Sequence, residues 1–230
     1  MRATERRRFC CDEDLARIGC DGLHADEDLE TWRSGRLHAG SQELIDVLLA
    51  RGVAGANLLD VGAGVGAVHL TLLERGAATA VDVDASREYL AAARAEAERR
   101  GLTGRVEYRY GDIVELAEEL PAADIVTLDS VICCYPYLAP ILEAAVRTGP
   151  RLAGLTYPRD AWWMRIFIRL YNLWSATRRR PGRYFSHRHA RVNQLMAGAG
   201  YRNVHEGGTR SWRVVLYQRV GRAPNEATPA

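Results

Sequence analysis

A glycine-rich turn is the segment whose residue types and spacing point most directly to chemistry. A mostly apolar strand pattern at 57–61 contains Asp60 and runs into Gly62-x-Gly64-x-Gly66. A helical pattern follows from Val65. Glycines lack the side chains that would keep a ligand away from the backbone, and the N–H groups at the start of a helix point outwards. The turn therefore predicts a nucleotide-like ligand at the carboxyl end of this strand.

Two ligand classes fit such a turn. Gly62, Gly64 and Ala67 also satisfy the looser dinucleotide fingerprint, and Asp84 lies 20 residues beyond Gly64, near the spacing of a ribose-binding acid. On the glycines alone, NAD remains a possible ligand. Asp60 favours the other class, because a carboxylate two residues before the first glycine would repel a pyrophosphate and attract an amine or a sulfonium.

With these motifs the chain resembles the class I S-adenosylmethionine-dependent methyltransferases over residues 42–218. Four segments in the family's order carry the resemblance: Asp60-x-Gly62-x-Gly64-x-Gly66, Asp84-Ala85 after the second apolar run, Gly111-Asp112-Ile113 after the third, and Asp124 to Asp129 along the fourth. The resemblance implies an enzyme that transfers a methyl group from S-adenosylmethionine and releases S-adenosylhomocysteine.

The resemblance also implies roles for individual residues in cofactor binding. Asp60 and the three glycines would line the amino-acid end of the cofactor. Asp84, followed by Ala85, would bind the ribose hydroxyls, and Asp112 would bind the adenine amino group with Ile113 beside the ring. Asp129 would lie at the edge of the reaction site.

Transfer from a sulfonium depends mainly on positioning, and a base is needed only where the acceptor must lose a proton. His187 is our candidate base, because imidazole titrates near neutrality; a solvated or helix-capping histidine is the alternative. Tyr135, in the aromatic segment after the fourth strand, is a second catalytic candidate. We predict no metal site, since the cysteines lack paired ligand spacing, and we expect Cys133 and Cys134 to be buried thiols.

An apolar, arginine-rich segment follows the fifth predicted strand. Residues 159–191 contain nine arginines and the single acid Asp160. Four interpretations stay open: a helix packed on the sheet, a lid over a flat hydrophobic acceptor, a surface resting on an acidic membrane, or a phosphate track for RNA. The first three agree with a small-molecule acceptor, as in methyltransferases of quinone, porphyrin or other secondary-metabolite pathways.

The fourth apolar run argues against a nucleic-acid substrate, because Asp129 is followed by Ser130-Val131-Ile132 rather than the D/N-P-P-Y/F motif of enzymes that methylate base amines. We therefore expect a small, hydrophobic or aromatic acceptor and no DNA partner. An RNA methyltransferase using residues 159–191 is the less favoured alternative. A non-catalytic protein that binds S-adenosylmethionine is the other.

The elements that must hold these residues alternate along the chain. Six strands are predicted, at 57–61, 79–83, 105–109, 124–129, 151–157 and 213–218. Helical patterns cover 65–75, 86–100 and 140–148, and another helix follows a capping Ser41. With the resemblance, this order predicts an α/β fold: a doubly wound, seven-stranded, mostly parallel sheet with an N-terminal helical cover.

Charge and composition divide the chain further. All 31 basic side chains are arginine, which excludes chemistry that needs a lysine, such as a Schiff base or a Walker-type phosphate loop. We predict a helical cover or arm over 1–40, a methyltransferase domain over 41–220 with an insert at 159–186, and a flexible tail over 221–230. The polar first residues and the unpaired cysteines predict a cytoplasmic protein.

Overall fold

The computed structural model describes residues 24–178 and 183–220. The helices are α1 (Ala25–Arg33), α2 (Ala39–Ala50), α3 (Ala67–Glu74), α4 (Arg87–Arg99), α5 (Ile113–Leu116), α6 (Leu138–Arg147), α7 (Trp162–Thr177) and α8 (His189–Gly198). The strands are β1 (Asn57–Val61), β2 (Thr79–Asp84), β3 (Val106–Tyr110), β4 (Ile125–Asp129), β5 (Leu152–Pro158), β6 (Tyr201–Gly208) and β7 (Trp212–Arg219).

The seven strands form one sheet in the order β3-β2-β1-β4-β5-β7-β6. The first five in that order are parallel, whereas β7 runs antiparallel to both β5 and β6. The strand order reverses at β1. From β1 the chain adds β2 and β3 on one side and then crosses over to add β4 and β5 on the other. In such sheets the crevice at the carboxyl ends of these strands is where ligands bind.

Helices cover both faces of the sheet. One core cluster unites Leu59, Val126 and Leu155 with helices α6 and α8, and the other unites Leu58, Ile125 and Leu216 with α2, α3 and α4. The central strands are apolar almost throughout because both of their faces are buried. The predicted doubly wound, mostly parallel sheet is confirmed.

Several local features differ from the sequence-based prediction. Helix α2 begins at Ala39 and is capped by His38, whose Nδ1 accepts a hydrogen bond from Gly40 N at 3.2 Å. The predicted cap, Ser41, lies inside the first turn. Helix α1 agrees with the predicted N-terminal helical cover, whereas strand β6 and helix α8 were not located in the sequence. Strand β6 is mostly polar and lies at the sheet edge, so it carries a weak apolar signal.

The described part of the N-terminal cover is helical and packs on α4. Arg33 donates two hydrogen bonds to the buried carboxylate of Glu96, at 2.9 and 2.7 Å. Tyr89 donates to Asp28 at 2.7 Å. These contacts fix α1 beside the carboxyl end of β2. The predicted domain boundaries stay predictions, and both residues 1–23 and the tail 221–230 lie outside the described residues.

Candidate functional site

A cavity of about 530 Å³ lies at the carboxyl ends of β1, β2 and β4. The turn after β1, the end of β2 and the segment after β3 form one end of its wall, which we call the glycine end. The opposite end is formed by residues 36–41, the end of β4 and Trp212, and we call it the His38 end. The two ends differ in chemistry.

Backbone conformation dominates the glycine turn. Gly62 and Gly64 line the cavity and have φ values of +61° and +57°, which residues other than glycine rarely adopt. A Cβ atom on Gly62 would lie 2.6 Å from Val131. Gly66 begins α3 with φ +81° and lies behind the cavity wall, against His69. The turn therefore leaves backbone atoms directly accessible from the cavity.

Asp84 lies beside the turn, as its predicted ribose-binding role requires. Its Oδ2 accepts a hydrogen bond from Gly64 N at 3.1 Å, and its Oδ1 accepts one from Ser86 N at 2.8 Å. Burial raises the pKa of this carboxyl to about 6. Ala85 lines the cavity next to it. Each carboxylate oxygen keeps capacity to accept a further hydrogen bond from a ligand.

Asp112 and Ile113 follow β3 and also line the cavity. The Asp112 carboxylate caps α5 by accepting from Val114 N at 2.8 Å, and its other oxygen accepts from the Tyr135 hydroxyl at 2.7 Å. Burial raises its pKa. Tyr135, which the sequence suggested as a catalytic residue, thus lines the cavity with its hydroxyl bonded to Asp112. This hydrogen bond holds the Tyr135 side chain at the glycine end of the cavity.

Asp60 and Asp82 lie behind the cavity, at register-paired positions of β1 and β2. The buried carboxylate of Asp60 accepts from Thr127 Oγ1 at 2.6 Å and lies 3.0 Å from His69 Nδ1. Both oxygens of Asp82 are buried and have no partner among the described residues, and burial raises its pKa well above the ordinary value. Strand alternation directs both side chains towards the helices. A direct contact between Asp60 and a ligand stays a prediction.

Asp129 lies at the His38 end, where its carboxylate is nearly surrounded by hydroxyl groups. Thr156 donates to it, and so does Ser41 from α2. Burial nevertheless raises its pKa. The next residue, Ser130, has φ +63° and is the one non-glycine residue with a positive φ in the described ranges. Such strained backbone often marks a functional site, and Ser130 itself lines the cavity.

His38 and Trp212 complete this end of the cavity, and the sequence did not single out either of them. Their rings meet edge to face with centroids 5.0 Å apart. Because His38 Nδ1 accepts from Gly40 N, a neutral ring carries its proton on Nε2 and can donate a hydrogen bond. His38 precedes α2, more than 170 residues from Trp212. No spacing along the chain could have joined the two.

His187, the base predicted from the sequence, lies outside the cavity wall. Its Nε2 is 3.0 Å from the carbonyl oxygen of Tyr135, so the ring ties the segment before α8 to the segment after β4. His189 Nδ1 is 2.7 Å from the Tyr157 hydroxyl and its Nε2 is 3.1 Å from Glu206. This placement argues against a proton-transfer role for His187, because a base must reach the reacting group.

Cys133 is buried and Cys134 is half-buried, and both line the cavity. Their sulfur atoms are 3.8 Å apart. The hydrogen bond with Cys134, together with burial, raises the pKa of the Cys133 thiol. Among residues 24–178 and 183–220, no three His, Cys, Asp or Glu side chains come together as a metal site; Cys10, Cys11 and Cys20 lie outside those ranges.

Comparison with known proteins finds matches in the part of the chain that carries the glycine turn. Residues 58–148 match the family model described as "Methyltransferase domain". This part of the chain therefore resembles a methyltransferase domain. Its match covers β1 to β4 and so includes the glycine turn, Asp84, Asp112 and Asp129.

Two curated relatives match part of the chain. A ribosomal protein L11 methyltransferase from Edwardsiella ictaluri is 33% identical over 107 residues, which is 45% of this chain and 34% of that protein. The same enzyme from Yersinia pseudotuberculosis is 32% identical over 101 residues, or 43% of this chain and 32% of the relative. The chain thus spans about a third of the length of these relatives.

Solved structures share the fold across most of the chain. Magnesium protoporphyrin IX methyltransferase from Synechocystis PCC 6803 superposes with a TM-score of 0.64 at 20% identity, over 79% of this chain and 84% of that one. The cyclase SpnF superposes with a TM-score of 0.60 at 15% identity, over 77% and 80%. At these identities the likeness shows the fold alone.

Proposed function

We propose that the protein transfers a methyl group from S-adenosylmethionine to a small hydrophobic or aromatic acceptor. One observation carries the proposal: the glycine turn, Asp84 and Asp112 follow three adjacent strands and face the same cavity. Together they offer accessible backbone for close approach and two carboxylates that can accept hydrogen bonds from hydroxyl and amino groups. That donor and acceptor set fits a nucleoside with an attached amino acid.

The cavity supports this fit in size and shape. Its volume of about 530 Å³ lies in the range of small-molecule sites, roughly 300 to 1,000 Å³. A Cβ on Gly64 would come into van der Waals contact with the Tyr89 ring, 3.8 Å away, so a larger side chain there would take up space along the cavity wall. Ile113 offers an apolar surface beside Asp112.

When bound, S-adenosylmethionine supplies a methyl group that its sulfonium already activates, so the chain's residues need mainly to bind, orient and exclude water. We assign the glycine end to the cofactor and the His38 end to the acceptor. His38 Nε2–H would donate a hydrogen bond to an acceptor oxygen. Asp129, whose pKa burial raises, is the group at that end able to accept a proton.

The lining of the His38 end supports a small acceptor that is at least partly apolar. Leu37 and Trp212 form its walls. Arg159, one of the nine arginines of residues 159–191, donates to the carbonyls of Gly207 and Thr209 at 2.9 and 2.7 Å, so its side chain holds the fold together. The Arg159 guanidinium is therefore not available to an RNA phosphate.

A release assay tests the proposal. S-adenosylhomocysteine formation is measured with the purified chain, S-adenosylmethionine and one of three acceptor sources: an organic-phase metabolite extract, bulk RNA, or ribosomal protein L11. Of the three acceptor sources, we expect release only with the metabolite extract. Release with RNA or with the ribosomal protein would overturn the acceptor class. Cofactor binding without release from any source would favour the non-catalytic alternative.

A further inference from the structure

Helix α7 is the element whose surface the proposed reaction does not explain. It is anchored to the fold along one side, where Met164, Ile168 and Ser175 are buried. These positions recur at helical spacing, so the opposite side of the helix faces away from the core. In an ordinary surface helix that opposite side is polar.

The outward side of α7 is apolar instead. Six of the nine large hydrophobic side chains exposed in the described ranges belong to this helix: Trp162, Ile166, Phe167, Leu170, Leu173 and Trp174. Trp162 is 73% exposed, and Leu173 and Leu170 are 64% and 61% exposed. A contiguous stripe of this kind marks an interaction surface, because isolated exposed apolar residues are common but clusters are not.

The charges along α7 indicate what kind of partner surface the helix binds. Residues 161–178 contain Arg165, Arg169 and Arg178 and no acid. Arg165 and Arg169 are exposed one turn apart along one border of the apolar stripe, while Arg178 follows the helix and lies over the Trp174 ring at 5.9 Å. None of the three makes an ion pair within the described part of the chain. The stripe is thus bordered by cations to which the described residues offer no counter-charge.

This pattern distinguishes between partners. A second copy would present the same stripe and the same arginines, so their charges would repel one another. A phosphate track for RNA would place cations, rather than tryptophan and leucine, at the centre of the surface. An anionic lipid surface satisfies both parts, since headgroups attract the arginines and the acyl boundary receives the apolar side chains.

We propose that α7 docks, parallel to the membrane plane, in the interface of an anionic lipid bilayer. At 16 residues and about 1.5 Å per residue, the helix is too short to cross a bilayer, and no helix within residues 24–178 or 183–220 has the length and apolarity to do so. Trp162 and Trp174 near its two ends suit the aromatic, headgroup-level layer.

The docking helix is connected to the wall of the cavity. The Asn172 side chain on α7 bonds to both the backbone N and the carbonyl oxygen of Tyr184, at 2.9 and 2.8 Å. Tyr184 lines the cavity, and its ring contacts Tyr171 of the helix with centroids 5.3 Å apart. Docking therefore brings the cavity wall to the lipid surface, where an apolar acceptor would concentrate; this last step rests on the proposed function.

Vesicle binding by the full chain tests the docking proposal. Binding is measured by flotation with vesicles of equal parts phosphatidylcholine and phosphatidylglycerol, and with phosphatidylcholine alone. We expect binding to the anionic vesicles that weakens with added salt. The Arg165→Gln/Arg169→Gln variant should bind about thirtyfold more weakly, since each arginine near an anionic surface contributes about fivefold. Trp162→Ser/Leu170→Ser/Leu173→Ser should lose at least about tenfold.

A charge-matched control is available on other surfaces. Arg75 and Arg202 are exposed, on α3's carboxyl end and on β6, so Arg75→Gln/Arg202→Gln changes the net charge equally and should bind like the wild type. Absence of vesicle binding by the wild type, or an equal loss in the control, would overturn the proposal. So would a dimer that the serine variant converts to monomer. S-adenosylhomocysteine affinity measured on the same samples reports separately on the proposed function.

Discussion

The two ends of the cavity are constructed in different ways. At the glycine end, each group follows directly after its own strand: the turn after β1, Asp84 at the end of β2 and Asp112 just after β3. At the His38 end, the groups come from distant parts of the chain, because His38 and Ser41 precede the sheet, Asp129 ends β4 and Trp212 begins β7. The first end depends on backbone conformation at strand ends. The second depends on how separate elements dock.

This difference assigns separate tasks to the two ends. The glycine end should determine cofactor affinity, and substitutions there should act on binding. The His38 end should determine turnover with little effect on cofactor affinity. Variants that remove one function without the other would sharpen the division, while variants that affect both equally would break it.

The largest effect is expected from Asp84→Asn. Hydrogen bonds to an ionised group are worth about 1.5–3 kcal/mol, so S-adenosylhomocysteine affinity should fall about 100-fold, as measured by calorimetric titration. Asp82→Asn is the matched control, because Asp82 is two residues away on the same strand but lies behind the cavity. Equal losses in both variants would show that the strand's stability, rather than ligand contact, sets the affinity.

A smaller effect is expected from His38→Asn. Asparagine keeps the ability to cap α2 but removes the Nε2–H donor at the His38 end. Turnover with an accepted substrate should fall about tenfold, with S-adenosylhomocysteine affinity unchanged. His187→Ala provides the comparison, and we expect it to leave turnover unchanged. A loss of turnover confined to His187→Ala would instead restore the base first predicted from the sequence.

Acidity should weaken cofactor binding through Asp84. The pKa of this carboxyl is raised to about 6 by burial, and the ionised form is the one that accepts hydrogen bonds with both oxygens. Affinity for S-adenosylhomocysteine should therefore hold above pH 7 and fall about tenfold by pH 5. In Asp84→Asn this titration should disappear. A wild-type affinity that stays constant from pH 7 to pH 5 would contradict the assignment.

The smallest effect is expected where the N-terminal cover meets α4. Glu96 is held by Arg33, Arg99 and Arg100, whose hydrogen bonds lower its pKa to about 2. Its stabilising contribution is therefore present at neutral pH and is lost as pH falls below about 4.5, the ordinary range of a glutamate. Glu96→Gln should lower Tm by about 2–4 °C at pH 7, measured by differential scanning calorimetry. The two Tm values should converge at acidic pH; a constant difference would contradict the ion-pair account.

The division between the two ends also explains how far the sequence predicts the site. Asp84 and Asp112 were predicted because each lies a fixed few residues from an apolar run, and local order determines their positions. The same locality hides whether a side chain points into the cavity or behind it, so Asp60 could be placed beside the turn but not directed towards His69 and Thr127.

The His38 end escaped prediction for a physical reason. His38, Ser41 and Trp212 meet only after α2 and β7 have packed on the same part of the sheet, and no short-range pattern encodes that meeting. His187 was selected for its titration range alone, yet its ring is bonded to the backbone of the segment after β4. The fold class was predictable, since alternating strands and helices leave few arrangements, although polar β6 and helix α8 were missed.

The central claim is that the glycine end binds S-adenosylmethionine, and a paired calorimetric titration tests it most directly. The wild-type chain is titrated with S-adenosylhomocysteine and, separately, with NAD, the other ligand class that the glycine spacing allows. The account predicts binding of S-adenosylhomocysteine with one molecule per chain and no heat from NAD. Binding of NAD without binding of S-adenosylhomocysteine would contradict it.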